Sequence, residues 1–87
     1  MIYSIEIVRA AQKQILSLPR DTQIEITRAI DGLANTPRPS GCKKLRGTEL
    51  RRLRLGRYRV VYLIDDKSNL VIVVKVAPRR EDTYRGL

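Results

Sequence analysis

The 87-residue chain contains no histidine, no tryptophan and no phenylalanine, and only one cysteine. Without His there is no imidazole for acid/base catalysis and no His-containing metal site. The single thiol, Cys42, excludes an internal disulfide and a four-Cys zinc site. It reads as a passive thiol of a reducing cytosol, with no imidazole nearby to activate it as a nucleophile. Long apolar runs are also missing. The longest strongly apolar stretch, Leu70 to Val74, falls far short of the ~20 residues that span a bilayer. The opening Met1-Ile2-Tyr3-Ser4-Ile5-Glu6 lacks the basic-then-apolar layout of a signal peptide. These absences predict a cytoplasmic protein that uses no metal, no cofactor and no membrane.

What the chain has in excess is positive charge. Eighteen Lys and Arg stand against nine Asp and Glu, a net +9. Residues 1–36 carry four of each sign; residues 37–87 carry fourteen basic and five acidic side chains. An even solubilising coat would not collect the whole surplus in one half, whereas an anion-binding face would. At 43% hydrophobic the chain can build one compact core, and its length leaves no room for two. Residues 1–87 are therefore read as a single domain.

The hydrophobic period divides the chain in two. Residues 2–8 are mostly β-branched or aromatic and predict a short strand. Ala11, Ile15 and Leu18 make a helical stripe over residues 9–18, which Pro19 ends. Ile26, Ile30 and Leu33 make a second stripe, with Asp21 or Thr22 as its predicted cap. Asn35 to Gly41, with two Pro and a Gly, is a loop. Beyond it the period falls to two. Leu50 to Leu55 alternates apolar and basic residues, Arg57 to Ile64 is a second strand of this half, and Asn69 to Ala77 a third. The third is apolar enough for a central position. The expected architecture is β-α-α-β-β-β: class α+β, a largely antiparallel sheet with a helical hairpin packed on one face.

A hairpin turn at Gly56-Arg57 would pair Leu55 with Tyr58, Arg54 with Arg59, Leu53 with Val60 and Arg52 with Val61. Directly paired residues point to the same face, so Arg52, Arg54 and Arg59 would share one face and Leu53, Leu55, Tyr58, Val60 and Tyr62 the other. Three guanidinium groups on one small patch repel each other. A phosphate site has a use for them, because guanidinium groups hold phosphate oxygens in a fork and keep their charge; a merely solvated basic face is the plain alternative. The antiparallel return of the third strand would bring Lys75, Arg79 and Arg80 toward Arg54 and Arg59. Tyr84 follows one helical turn after Arg80 and is otherwise read as a packing aromatic. Lys43, Lys44 and Arg46 form a second basic group, either a solvated loop or a grip on neighbouring phosphates.

In this order Lys44-Leu45-Arg46-Gly47, then Leu53-Arg54-Leu55-Gly56-Arg57-Tyr58-Arg59-Val60-Val61-Tyr62, then Val76-Ala77-Pro78-Arg79-Arg80 and Tyr84 resemble the RelE/ParE toxin superfamily, its RelE branch above all. The resemblance covers nearly the whole chain. It implies an mRNA interferase, a toxin of a type II toxin–antitoxin module that enters the ribosomal A site and cuts the mRNA there. The 2′-hydroxyl would attack the adjacent phosphate. The partners implied are the ribosome with its mRNA, a cognate RelB-like antitoxin encoded alongside, and operator DNA only through that antitoxin. Position by position, the resemblance puts catalytic roles on Arg52, Arg54, Arg59, Arg79 and Tyr84, and RNA contacts on Lys43, Lys44, Arg46, Lys75 and Arg80.

The chain departs from relatives at two places: strand positions that are often Lys are Arg here, and Pro78 stands where many have His. Arg cannot plausibly take a proton from the 2′-hydroxyl, since its pKa is above ~12. That leaves Tyr84 as the base candidate, with Glu81 and Asp82 as acidic alternatives. Two other functions fit the same fold: a ParE-type inhibitor of DNA gyrase, and an RNA-binding member without catalysis.

Overall fold

The computed structural model describes residues 2–78. Its elements in chain order are β1 (Ser4–Ile7), α1 (Arg9–Leu16), α2 (Arg20–Gly32), β2 (Lys43–Lys44), β3 (Arg51–Leu55), β4 (Tyr58–Asp65) and β5 (Leu70–Pro78). The strands form one sheet in the order β1-β5-β4-β3-β2. β1 joins β5 in parallel, and every other neighbour is antiparallel. The expected α+β class, with a helical hairpin on one face of the sheet, is what the chain adopts. β5 is central, between β1 and β4, as its apolar run requires.

Three local expectations are corrected. First, Lys43–Lys44 is a two-residue edge strand on β3, not a loop, so the order is β-α-α-β-β-β-β. Two lysines carry no strand pattern of their own; the pairing with Arg51 and Arg52 makes the strand. Second, α2 starts at Arg20, with Pro19 at the cap position and no side-chain cap from Asp21 or Thr22. Pro19 is extended, and its carbonyl accepts the first helical bond, from Gln23 N–H at 2.9 Å. Asp21 lies inside the first turn, where its charge still suits the helix dipole. Third, α1 ends at Leu16, two residues early, as its last turn tightens: the Ser17 amide is shared between the Lys13 and Gln14 carbonyls, and the Leu18 amide reaches back only three residues, to Ile15.

The core lies between the hairpin and one sheet face. Ala11 and Ile15 of α1, Ile26 and Ile30 of α2 and Leu33 at its end pack on Val60, Tyr62, Val71, Val73 and Val76. Leu53, Leu55 and Tyr58 close its edge, as the alternation predicted. One strap fixes the far end. Tyr62 Oη donates to the Pro37 carbonyl at 2.8 Å, Arg38 pairs with Asp66 at 2.8 Å, and Tyr3 Oη donates to Asp66 Oδ1 at 2.6 Å. The segment between α2 and β2 is thereby tied to β1, β4 and the β4–β5 turn. Burial, then the Cys42 thiol beside it, pushes the Tyr62 phenol far above its usual range, so it stays a neutral donor. Among the described residues no helix is long and apolar enough to cross a membrane.

Candidate nucleic-acid interface

The β3–β4 hairpin decides which way its arginines face. Gly56 sits at φ +58°, while Arg57 does not have a positive φ. This matches a two-residue turn that wants Gly at its first position only. The observed register pairs Leu55 with Tyr58, Arg54 with Arg59, Leu53 with Val60 and Arg52 with Val61, as the sequence predicted. Arg52, Arg54 and Arg59 therefore stand on the sheet face away from the helices.

Two rungs cross that face. The first runs Lys43, Arg52, Val61, Lys75 over β2, β3, β4 and β5; the second runs Arg54, Arg59, Ala77 over β3, β4 and β5. Strands lie about 4.8 Å apart and the two rungs about 7 Å apart along them. Arg54 and Arg59 form the pair next after the turn-closing one, so their Cα atoms approach to about 4.5 Å. Five cations thus gather on one patch. If two guanidinium centres splay to about 7 Å, they repel by about 2 kcal/mol at an effective dielectric of 20. A bound phosphate would turn that repulsion into attraction.

The patch has a firm floor. Arg59 is 1% exposed, Arg52 7% and Val61 1%, and the Arg59 Nε and Nη1 atoms are buried, so these two side chains are packed away from water rather than waving in it. Arg54 is exposed and Lys75 half-buried. A buried Arg has already lost most of its rotamer freedom, so less is lost when it grips a ligand.

Not all the predicted residues converge. Lys44 pairs with Arg51, which stands opposite the core residue Tyr62, so Lys44 lies on the helix side of the sheet. Its ammonium meets Glu49 at 3.6 Å. Arg46 sits on the loop that follows, and with Lys44, Leu45, Gly47, Thr48 and Glu49 it lines a separate concavity of about 640 Å³. That hollow is away from the arginine face, and a glutamate sits in its wall. Arg79, Arg80 and Tyr84, and the alternatives Glu81 and Asp82, lie outside the described residues. Strand alternation could not reveal the buried Val61 floor. Nor could it reveal the β2 pairing that brings Lys43 beside Arg52. Among the described residues no group of His, Cys, Asp and Glu could hold a metal ion.

Helical hairpin, sheet order and one cationic sheet face define a small basic α+β protein. The sequence pattern of the family described as "ParE toxin of type II toxin-antitoxin system, parDE" matches residues 5–83. The chain is 30% identical over 90 residues to toxin RelE1 of Methanocaldococcus jannaschii, with 99% of each covered. It superposes on the archaeal RelE–RelB complex of Pyrococcus horikoshii with a TM-score of 0.83 and 32% identity, covering 93% of this chain and 99% of that one. For the RelBE2 toxin–antitoxin complex of Mycobacterium tuberculosis the values are 0.81 and 26%, covering 91% and 100%. The chain belongs to this toxin family of type II toxin–antitoxin systems, within the RelE/ParE superfamily, and is RelE-like.

Proposed function

We propose that the protein is a ribosome-dependent endoribonuclease that cuts mRNA in the A site. The observation that supports this most is the convergence of Arg52, Arg54 and Arg59 with Lys43 and Lys75 on one sheet face. In-line cleavage by the 2′-hydroxyl builds negative charge on a five-coordinate phosphorus, and fixed cations around it lower the barrier. In this reading Arg54 and Arg59 hold the non-bridging oxygens. Arg52 and Arg79 are assigned to stabilise the leaving oxygen. Tyr84 is assigned to take the 2′-proton. Lys43 contacts a neighbouring phosphate on this face, and Arg80 is assigned a further one. The ribosome supplies what the side chains do not, a substrate already held in line.

The partner in this reading is an antitoxin encoded beside the toxin, acidic enough to neutralise the +9 chain. Two similar solved structures are toxin–antitoxin complexes, one of them with RelB. Operator DNA is contacted only through the antitoxin.

The experiment is induced expression without antitoxin, followed by mapping of mRNA 5′ ends. New ends inside translated codons, lost when initiation is blocked, are expected. One further reading has an observation of its own: the matching family is described by its ParE members. A gyrase inhibitor would leave mRNA whole and damage DNA, and that result would replace the nuclease reading.

A further inference from the structure

β5 changes phase part-way along. Val71 and Val73 both face the helices and are fully buried, and two residues further Lys75 would follow them into the core. It does not, because the register with β4 slips between Val61 and Tyr62. Tyr62 pairs with Val73 but Val61 pairs with Lys75, which leaves Val74 as an extra residue. After this bulge Val76 returns to the core and Lys75 stands on the arginine face. Bulges re-aim side chains and collect near active sites. This one moves a single ammonium group. Lys75 lies one strand and two residues from Arg59, about 7–8 Å diagonally, within reach of a phosphate held there. It is half-buried, and no described carboxylate pairs with it.

From this placement we infer that Lys75 is the general acid that protonates the 5′-oxygen as it leaves. The inference rests on the nuclease reading above. The arginines of the face can hold charge but release protons too reluctantly for this step. Of the two lysines on the rung, Lys43 is exposed on the edge strand, two strands from β4, whereas Lys75 is the direct neighbour of β4. The step balances. The 2′-oxygen bonds to phosphorus and loses its proton to a base, the P–O5′ bond breaks with its electron pair on oxygen, and an N–H of the Lys75 ammonium supplies the proton there. The products are a 2′,3′-cyclic phosphate and a 5′-hydroxyl, and solvent returns the proton to the amine.

The test is cleavage of ribosome-bound mRNA at the mapped site. One substrate carries the ordinary linkage, the other a 5′-bridging sulfur whose thiolate leaves without a proton. Two variants, Lys75→Ala and Lys75→Arg, are compared with the wild-type protein, with folding checked by circular dichroism. Both variants are expected to cut the oxygen substrate about 100-fold more slowly or worse. On the sulfur substrate both should approach the wild-type rate, while Arg59→Ala stays slow on both. Equal losses on both substrates, or wild-type cutting by Lys75→Arg, would reduce Lys75 to a charge and overturn the inference while leaving the nuclease intact. A wild-type protein that cuts neither substrate would remove the nuclease reading, and the inference with it.

Discussion

At the scale of single residues, the basic face is made of groups whose chemistry is fixed by type and whose freedom is fixed by burial. Arg59 is the clearest case: a guanidinium 1% exposed, between Arg54 and Ala77 on its rung. Removing one donor aimed at a developing charge costs about 10²–10³ in rate. Arg59→Ala is accordingly expected to cut mRNA about 100-fold more slowly, read from single-turnover cleavage on programmed ribosomes. A second residue prediction concerns the strap. The Arg38 guanidinium, and then the Tyr3 hydroxyl, hold the Asp66 carboxyl below its usual range. A carboxyl that is more acidic in the fold than in the unfolded chain stabilises the fold above its unfolded value, near pH ~4. That contribution is lost as the pH falls through the lowered value. Melting temperatures of wild type and Asp66→Asn should therefore differ at pH 6 and converge toward pH 2.5; a gap that widened in acid would contradict the assignment.

Secondary-structure elements carry the next level of control, because two small backbone features aim the whole basic face. Gly56, at φ +58°, closes the β3–β4 turn in a conformation that costs other residues about 1–2 kcal/mol. Gly56→Ala should lose about that much in urea unfolding while keeping the register. The bulge at Val74 sets the phase of the rest of β5. Deleting Val74 would place Lys75 directly after Val73, leaving it on the arginine face and Val76 in the core. The deletion variant is therefore expected to keep a cooperative thermal melt; loss of that transition would contradict the assigned phase. The element level also shows where reading by period succeeds. Alternation from Leu50 to Tyr62 gave the hairpin register residue by residue, because apolar and basic positions differ strongly there. In Leu70 to Ala77 nearly every position is apolar, so no contrast marks the place where the phase shifts. The Lys43–Lys44 strand was illegible for a related reason. Its membership of the sheet comes from its partner, not from its own side chains.

For the whole molecule, the question is where the +9 surplus goes. Sequence alone collects it in the second half of the chain; the fold divides that half between two sides of the sheet. Lys43, Arg52, Arg54, Arg59 and Lys75 share the face away from the helices, while Lys44 lies across the sheet beside Glu49. Binding of a single-stranded RNA releases counterions, and each phosphate contact contributes about 0.7 to the slope of log affinity against log salt. Lys43→Ala should lower that slope by about 0.7, and Lys44→Ala by much less. Fluorescence anisotropy over a salt series would measure both. Equal effects would mean that RNA wraps the edge of the sheet rather than lying on one face.

Composition and period by themselves determined the fold class, the helical stripes, the β3–β4 register and the presence of a charged face. Each of these depends on local contrast between neighbouring side chains, or on a count. Strand return already brought Lys75 to the arginine end of the sheet; tertiary structure alone decided its face, and that Lys43 rather than Lys44 joins the arginines. Which side of a sheet a residue takes depends on pairing with distant strands and on one inserted residue, and neither leaves a mark on the residues it redirects.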